Sequence, residues 1–137
     1  MAPRYFTLDE ANAAVDELRP VVEEMVMHHR RLLEAQARRA ALAERAGSNG
    51  GDLTPTDFGE VEEELELEAS ALARCVERIQ AAGALVKDLD QGLLDFPALR
   101  DGEEVLLCWR LGEDEIAYYH GTDEGFAGRR PLFGTDE

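Results

Sequence analysis

Three histidines and thirty carboxylates are the chain's stock of acid–base groups and hard metal ligands, and spacing decides which of them can meet. His120 closes the run Ile116-Ala117-Tyr118-Tyr119-His120, whose alternation sets Ile116, Tyr118 and His120 on one strand face. Asp88, Asp90 and Asp95 flank the first predicted hairpin, and Glu113 and Arg129 approach from loops. One imidazole among two or three carboxylates suits a divalent cation such as zinc, iron or manganese, or a general acid/base pair. The candidate metal ligands are therefore His120, Asp88, Asp90 and Glu113. Asp88 is favoured because it sits on a strand, and rigid elements hold ligands better than loops. Glu113 is the weaker choice, since its turn also points it outward. A two-residue turn at Glu113-Asp114 would stand His120 beside Leu107, near Trp109. No HxH or HExxH spacing occurs, so only tertiary folding can assemble such a site. The opposing reading makes His120 a strand-end histidine bonded to a carboxylate, with Asp90 and Asp95 serving turns.

A second group is helical. Glu24 and His28 are i,i+4 neighbours, while the Glu-x-x-His of di-iron bundles is absent. In a hairpin centred near residue 50, Leu32 comes opposite Glu68 and His29 lies about one turn away, which allows a His29–Glu68 metal clip or a pair that fixes register. Ser48 and Ser70 have no nucleophile setting, and Cys108 has no histidine nearby in sequence, so a small buried hydrophobe is its ordinary role. Neither a glycine-rich phosphate loop nor a dinucleotide fingerprint is present.

The elements that must position these groups are legible. Thr7-Leu8-Asp9-Glu10 is a capping box opening a helix. From Leu8 the positions 11, 15, 18, 22, 25, 29, 32 and 36 step by three and four, an apolar seam polar only at His29 and Gln36. Pro20 removes a backbone donor and predicts a kink near residues 16–20, or a short helix followed by a long one. Gly47-Ser48-Asn49-Gly50-Gly51 ends the helix, Thr54 caps a second with Pro55 in its first turn, and Gly83 closes that one. Arg30, Arg31, Arg38, Arg39 and Arg45 on the first helix face Asp57 and a run of glutamates from Glu60 to Glu68 on the second, so the hairpin is antiparallel around a loop at 47–53.

After Gly83 the period changes from 3.6 to 2. Strands are expected at Ala84–Leu89, Leu93–Phe96, Glu104–Leu111 and Ile116–His120, with Pro97 ending the second or placing it on an edge. Residues 121–137 read as a loop laid over the sheet. The fold class is α+β in one domain, 1–137: helical hairpin 7–83, antiparallel β part 84–120, C-terminal loop 121–137.

With these segments placed, the chain resembles a bacterial family catalogued as domain of unknown function 2203. The resemblance rests on Tyr5 to Asn12 with Leu18-Arg19-Pro20, on Val86 to Asp90 with Gly92-Leu93 and Asp95-Phe96-Pro97, on Cys108 to Glu113, on Ile116 to His120, and on Gly125 to Arg129. It covers almost the whole chain and implies no activity, substrate or site residue.

Composition narrows the partners. A formal charge of −16 argues against nucleic acid and against anionic membranes. No apolar run approaches the roughly 20 residues of a membrane span, and the N-terminus lacks a secretory apolar stretch. Cys75 and Cys108 form no disulfide framework or CxxC knuckle. A cytoplasmic protein is expected. A two-helix hairpin cannot bury so wide a stripe alone, so a homodimer through the helices is expected too. The leading functional expectation is a non-enzymatic interaction or assembly protein acting as a homo-oligomer; the alternative is a small metal-binding protein or metal-dependent enzyme using His120 and nearby carboxylates.

Overall fold

The computed structural model describes residues 4–47 and 55–133. Two helices, α1 (Leu8–Gly47) and α2 (Pro55–Ala81), precede strands β1 (Leu85–Asp88), β2 (Leu93–Arg100), β3 (Glu103–Arg110), β4 (Tyr118–Gly121) and β5 (Arg130–Pro131). The strands form one antiparallel sheet in sequence order. No described helix is long and apolar enough to cross a membrane.

The capping box forms as expected: the Thr7 amide donates to Glu10 Oε1 at 2.9 Å, and the Glu10 amide to Thr7 Oγ1 at 3.0 Å. α1 then runs through Pro20 as one helix, so the alternative of a short helix followed by a long one does not hold. The loop expected at 47–53 and the cap at Thr54 lie outside the described residues, Gly47 excepted. Antiparallel pairing brings Arg39 to Glu62 and Arg38 to Glu64. These exposed pairs are worth about 0–1 kcal/mol each and set orientation more than stability. The polar seam position differs by one residue from expectation. His28, not His29, meets Glu68, at 2.6 Å. His28 precedes Leu32 by a full i,i+4 step and so sits squarely on the α2-facing side, whereas His29 turns towards the β1–β2 connection, beside Leu89 and Asp90.

One sheet face packs on the helices. Leu94, Phe96, Ala98, Val105, Leu107 and Trp109 join Val15, Leu18, Val22 and Met25 of α1 and Cys75 and Ile79 of α2 in a single core. Phe6 is fastened there twice, edge-on to Phe96 at 5.2 Å and through its amide to the Pro97 carbonyl at 2.8 Å. That bond explains how β2 passes through a proline to reach Arg100: pairing with β1 stops at Asp95, so Pro97 lies on an open margin and loses no ladder bond. Gly92 is required where the β1–β2 turn touches α1, with φ +74° and a Val22 methyl 2.9 Å from where a Cβ would sit.

Two expectations change in ways that matter for the site. The β3–β4 connection is no two-residue turn; it spans residues 111–117, held by the Glu113 amide on the Arg110 carbonyl and by the Ile116 amide on Asn12 Oδ1 of α1. His120 therefore pairs with Leu106 rather than Leu107, and a slip of one residue moves it to the other face, away from Trp109. The stretch read as a C-terminal loop contains a 3-10 turn, Phe126–Gly128, and the fifth strand, whose Arg130 pairs with Tyr119.

Candidate functional site

On the sheet face turned from the helices, register alone assembles a cluster. Asp95 of β2 lies opposite Cys108 of β3, and Leu106, two residues before Cys108, lies opposite His120 of β4. Alternation then puts Asp95, Cys108 and His120 on one face. Asp95 is 2% exposed and His120 3%, the two buried polar residues of the described chain. His120 Nε2 stands 3.1 Å from both carboxylate oxygens of Asp95. On the other side of the ring, Nδ1 lies 2.9 Å from the Gly121 carbonyl oxygen. A carbonyl only accepts, so Nδ1 carries a proton and donates it there. Nε2 is thereby left facing the carboxylate, where either a second ring proton donated to Asp95 or a metal cation bound by both groups completes the contact.

Cys108 completes the group. Ligand atoms of Asp95, Cys108 and His120 all lie within 4.8 Å of one another. Zinc–ligand bonds of 2.0–2.3 Å put tetrahedral ligand atoms roughly 3.3–3.6 Å apart, a rearrangement of a few tenths of an ångström up to about 1 Å from these positions. Burial pushes the Cys108 thiol up to about 11, and the Asp95 charge adds to the rise, while Arg129 pulls the other way. All three residues line a cavity of about 280 Å³, walled further by Lys87, Asp88, Leu93, Glu124, Gly125 and Phe126.

Of the four expected ligands, only His120 belongs to this cluster. Asp88 lines the same cavity, but its Oδ2 accepts the Gln91 amide at 2.6 Å and so holds the β1–β2 turn. Asp90 is exposed and borders the groove beside His29 instead. Glu113 is committed elsewhere: its carboxylate accepts the Arg110 amide and both oxygens lie 2.9 Å from Arg129 Nη2. Arg129 in turn lies over Tyr118 at 4.1 Å and Phe126 at 4.5 Å, pinning the C-terminal segment against the sheet. The His29–Glu68 clip does not form, since Glu68 is taken by His28.

Sequence reasoning missed Asp95 and Cys108 as partners. One signal was available: Leu93-Leu94-Asp95-Phe96 places an acid inside an apolar run, and a strand buries a carboxylate only when a partner awaits it. No curated protein and no solved structure matches the chain. Every cavity-lining residue but Glu124 falls in the segments Val86–Asp90, Gly92-Leu93, Asp95–Pro97, Cys108–Glu113, Ile116–His120 and Gly125–Arg129 singled out above. The profile of the family described as "Uncharacterized conserved protein (DUF2203)" matches residues 4–132, and the chain belongs to that family.

Proposed function

We propose that this protein binds one divalent metal ion, zinc before iron or manganese, through Asp95, Cys108 and His120. The observation that carries the reading is the buried imidazole whose Nδ1–H is committed to Gly121, leaving Nε2 aimed at a carboxylate. The Nδ1–H bond is the outer support that orients a metal-ligating histidine. One nitrogen, one oxygen and one sulfur ligand suit zinc and exclude the all-oxygen preference of magnesium and calcium. Three protein ligands with a cavity alongside leave the fourth tetrahedral position for a water or a ligand, as in zinc sites that do more than hold a fold. Protein purified without a histidine tag should contain one zinc per chain by elemental analysis. Chain that is metal-free, and takes up none from excess zinc, overturns the reading.

A homodimer is a second reading, favoured by one feature of the hairpin. The face that the sheet covers near Met25 continues past it as an open groove with Leu32, Leu65 and Ala69 on its floor and Glu62, Glu63 and Glu66 on its rim. Beyond Met25, α1 buries only Ala35, while Leu33 and Leu67 are 47% and 64% exposed. A second copy laid along this groove would bury Leu32 and Leu65. Leu32→Glu adds a carboxylate to an already acidic groove and should leave a monomer with unchanged helical content. Light scattering that finds the wild type monomeric at micromolar concentration ends this reading.

A further inference from the structure

A metal-ligating histidine is only as well aimed as the acceptor behind its other nitrogen. For His120 that acceptor is the carbonyl of the very next residue, Gly121, 2.9 Å from Nδ1. Gly121 is the last residue of β4, and a glycine at a strand end can turn its carbonyl away at little cost. The bond to Nδ1 therefore depends on what holds Gly121.

Glu124 holds it twice. Its backbone amide donates to the same Gly121 carbonyl at 3.1 Å, and its side chain reaches back, Oε1 accepting the Gly121 amide at 2.7 Å. The two bonds repeat the reciprocal arrangement of a capping box, here closing a single turn. Arg130 of β5 grips the carboxylate from the other side, with Nη2 2.8 Å from Oε1 and Nη1 3.3 Å from Oε2. Those donors, the Gly121 amide first, hold the Glu124 carboxyl below the usual range, so it is an ionised acceptor at neutral pH. Glycine suits the place, since a Cβ at residue 121 would come 3.1 Å from Oε1 and 3.3 Å from Asp123 Oδ1. The same turn leads Glu124, Gly125 and Phe126 to the cavity wall.

We infer that Glu124 is a positioning residue of the metal site, locking the Gly121 carbonyl against Nδ1 of His120 and so keeping Nε2 on the ion. It stands outside the ligand group itself and acts through Gly121. The inference rests on the metal reading above. Its bond to the Gly121 amide does this work, not its negative charge, because a charge alone does not orient a carbonyl. Glutamine at this position keeps an oxygen acceptor for that amide, and alanine does not.

Zinc affinity of the full chain, read by competition with a chromophoric chelator, tests the role. Glu124→Ala should weaken zinc about tenfold, the lower end of what losing an outer partner of a metal ligand costs. Glu124→Gln loses the same charge yet should bind zinc as tightly as the wild type, because its amide oxygen still accepts the Gly121 N–H. In the zinc-loaded protein, the His120 Nδ1–H signal by nitrogen-15 NMR should exchange with water faster in Glu124→Ala, and Glu124→Gln should restore the wild-type rate. Wild type that takes up no zinc defeats the metal reading. Zinc held as tightly by Glu124→Ala as by the wild type, or as weakly by Glu124→Gln as by Glu124→Ala, defeats the positioning role and leaves the metal reading standing.

Discussion

His120→Ala should abolish zinc binding and, in the metal-free protein, lower the unfolding free energy by about 3–5 kcal/mol, because it leaves the Asp95 carboxylate buried without a partner. The reciprocal changes sharpen the expectation. Asp95→Ala removes the charge but leaves Nε2 without a partner, so it should cost about 1–3 kcal/mol, the penalty of an unsatisfied buried polar group. Asp95→Asn keeps a partner, because its amide can donate to Nε2 while Nδ1–H stays on Gly121; it should cost less than Asp95→Ala while still removing the ligand. Urea denaturation of the three variants, stripped of metal, gives the order His120→Ala, Asp95→Ala, Asp95→Asn. Helical circular dichroism at zero urea should match the wild type throughout, since α1 and α2 do not touch this face of the sheet. Asp95→Asn as damaging as His120→Ala would show that Asp95 holds this face by its charge and not as a hydrogen-bond partner of Nε2.

The helical half of the fold was legible because its signals are local. Thr7 and Glu10 are three residues apart, the seams repeat every three or four, and Gly83 ends α2 with φ +99° where the period changes. The opposed charge blocks gave the antiparallel sense without any tertiary information. The site was only half legible, for a reason of equal simplicity. His120 stood out as an ionisable residue on an apolar strand, but its face depended on the length of the β3–β4 connection. That length is set by α1, whose Asn12 takes the Ile116 amide and whose Arg19 donates to the Asp114 carbonyl. A contact 95 to 104 residues away in sequence thus decides the face of the histidine, and no strand pattern reveals it. Once the face is reversed, Asp88 and Glu113 give way to Asp95 and Cys108 with no further assumption. Many residues that carry the family resemblance do structural work on the helix side: Phe6 on Phe96 and Pro97, Asn12 on Ile116, Arg19 on Asp114, and Trp109, whose indole N–H donates to the Glu113 carbonyl at 2.9 Å.

Zinc affinity should rise about tenfold for each pH unit through the Cys108 proton alone, over the range from neutral pH to about 11. The thiol is pushed up chiefly by burial and then by Asp95, so it is protonated at neutral pH and must lose that proton to become a ligand. Raising it from 9 to about 11 weakens zinc at pH 7 by about 100-fold relative to an unshifted cysteine, one factor of ten per unit. Cys108→Ser should therefore do two things. It should lower affinity, because a hydroxyl is a poor zinc ligand, and it should reduce the slope of log affinity against pH by one. The metal-free protein carries the opposite sign. Its unfolded thiol ionises near the ordinary value while the folded one stays protonated, so the stability linked to Cys108 is whole below about 9 and lost as pH rises through about 11. Competition with a chromophoric chelator from pH 6.5 to 8.5 reads the first effect, and urea midpoints between pH 8 and 10.5 read the second. A slope identical in wild type and Cys108→Ser would remove the sulfur from the ligand set and leave Asp95 and His120 to hold the ion by themselves.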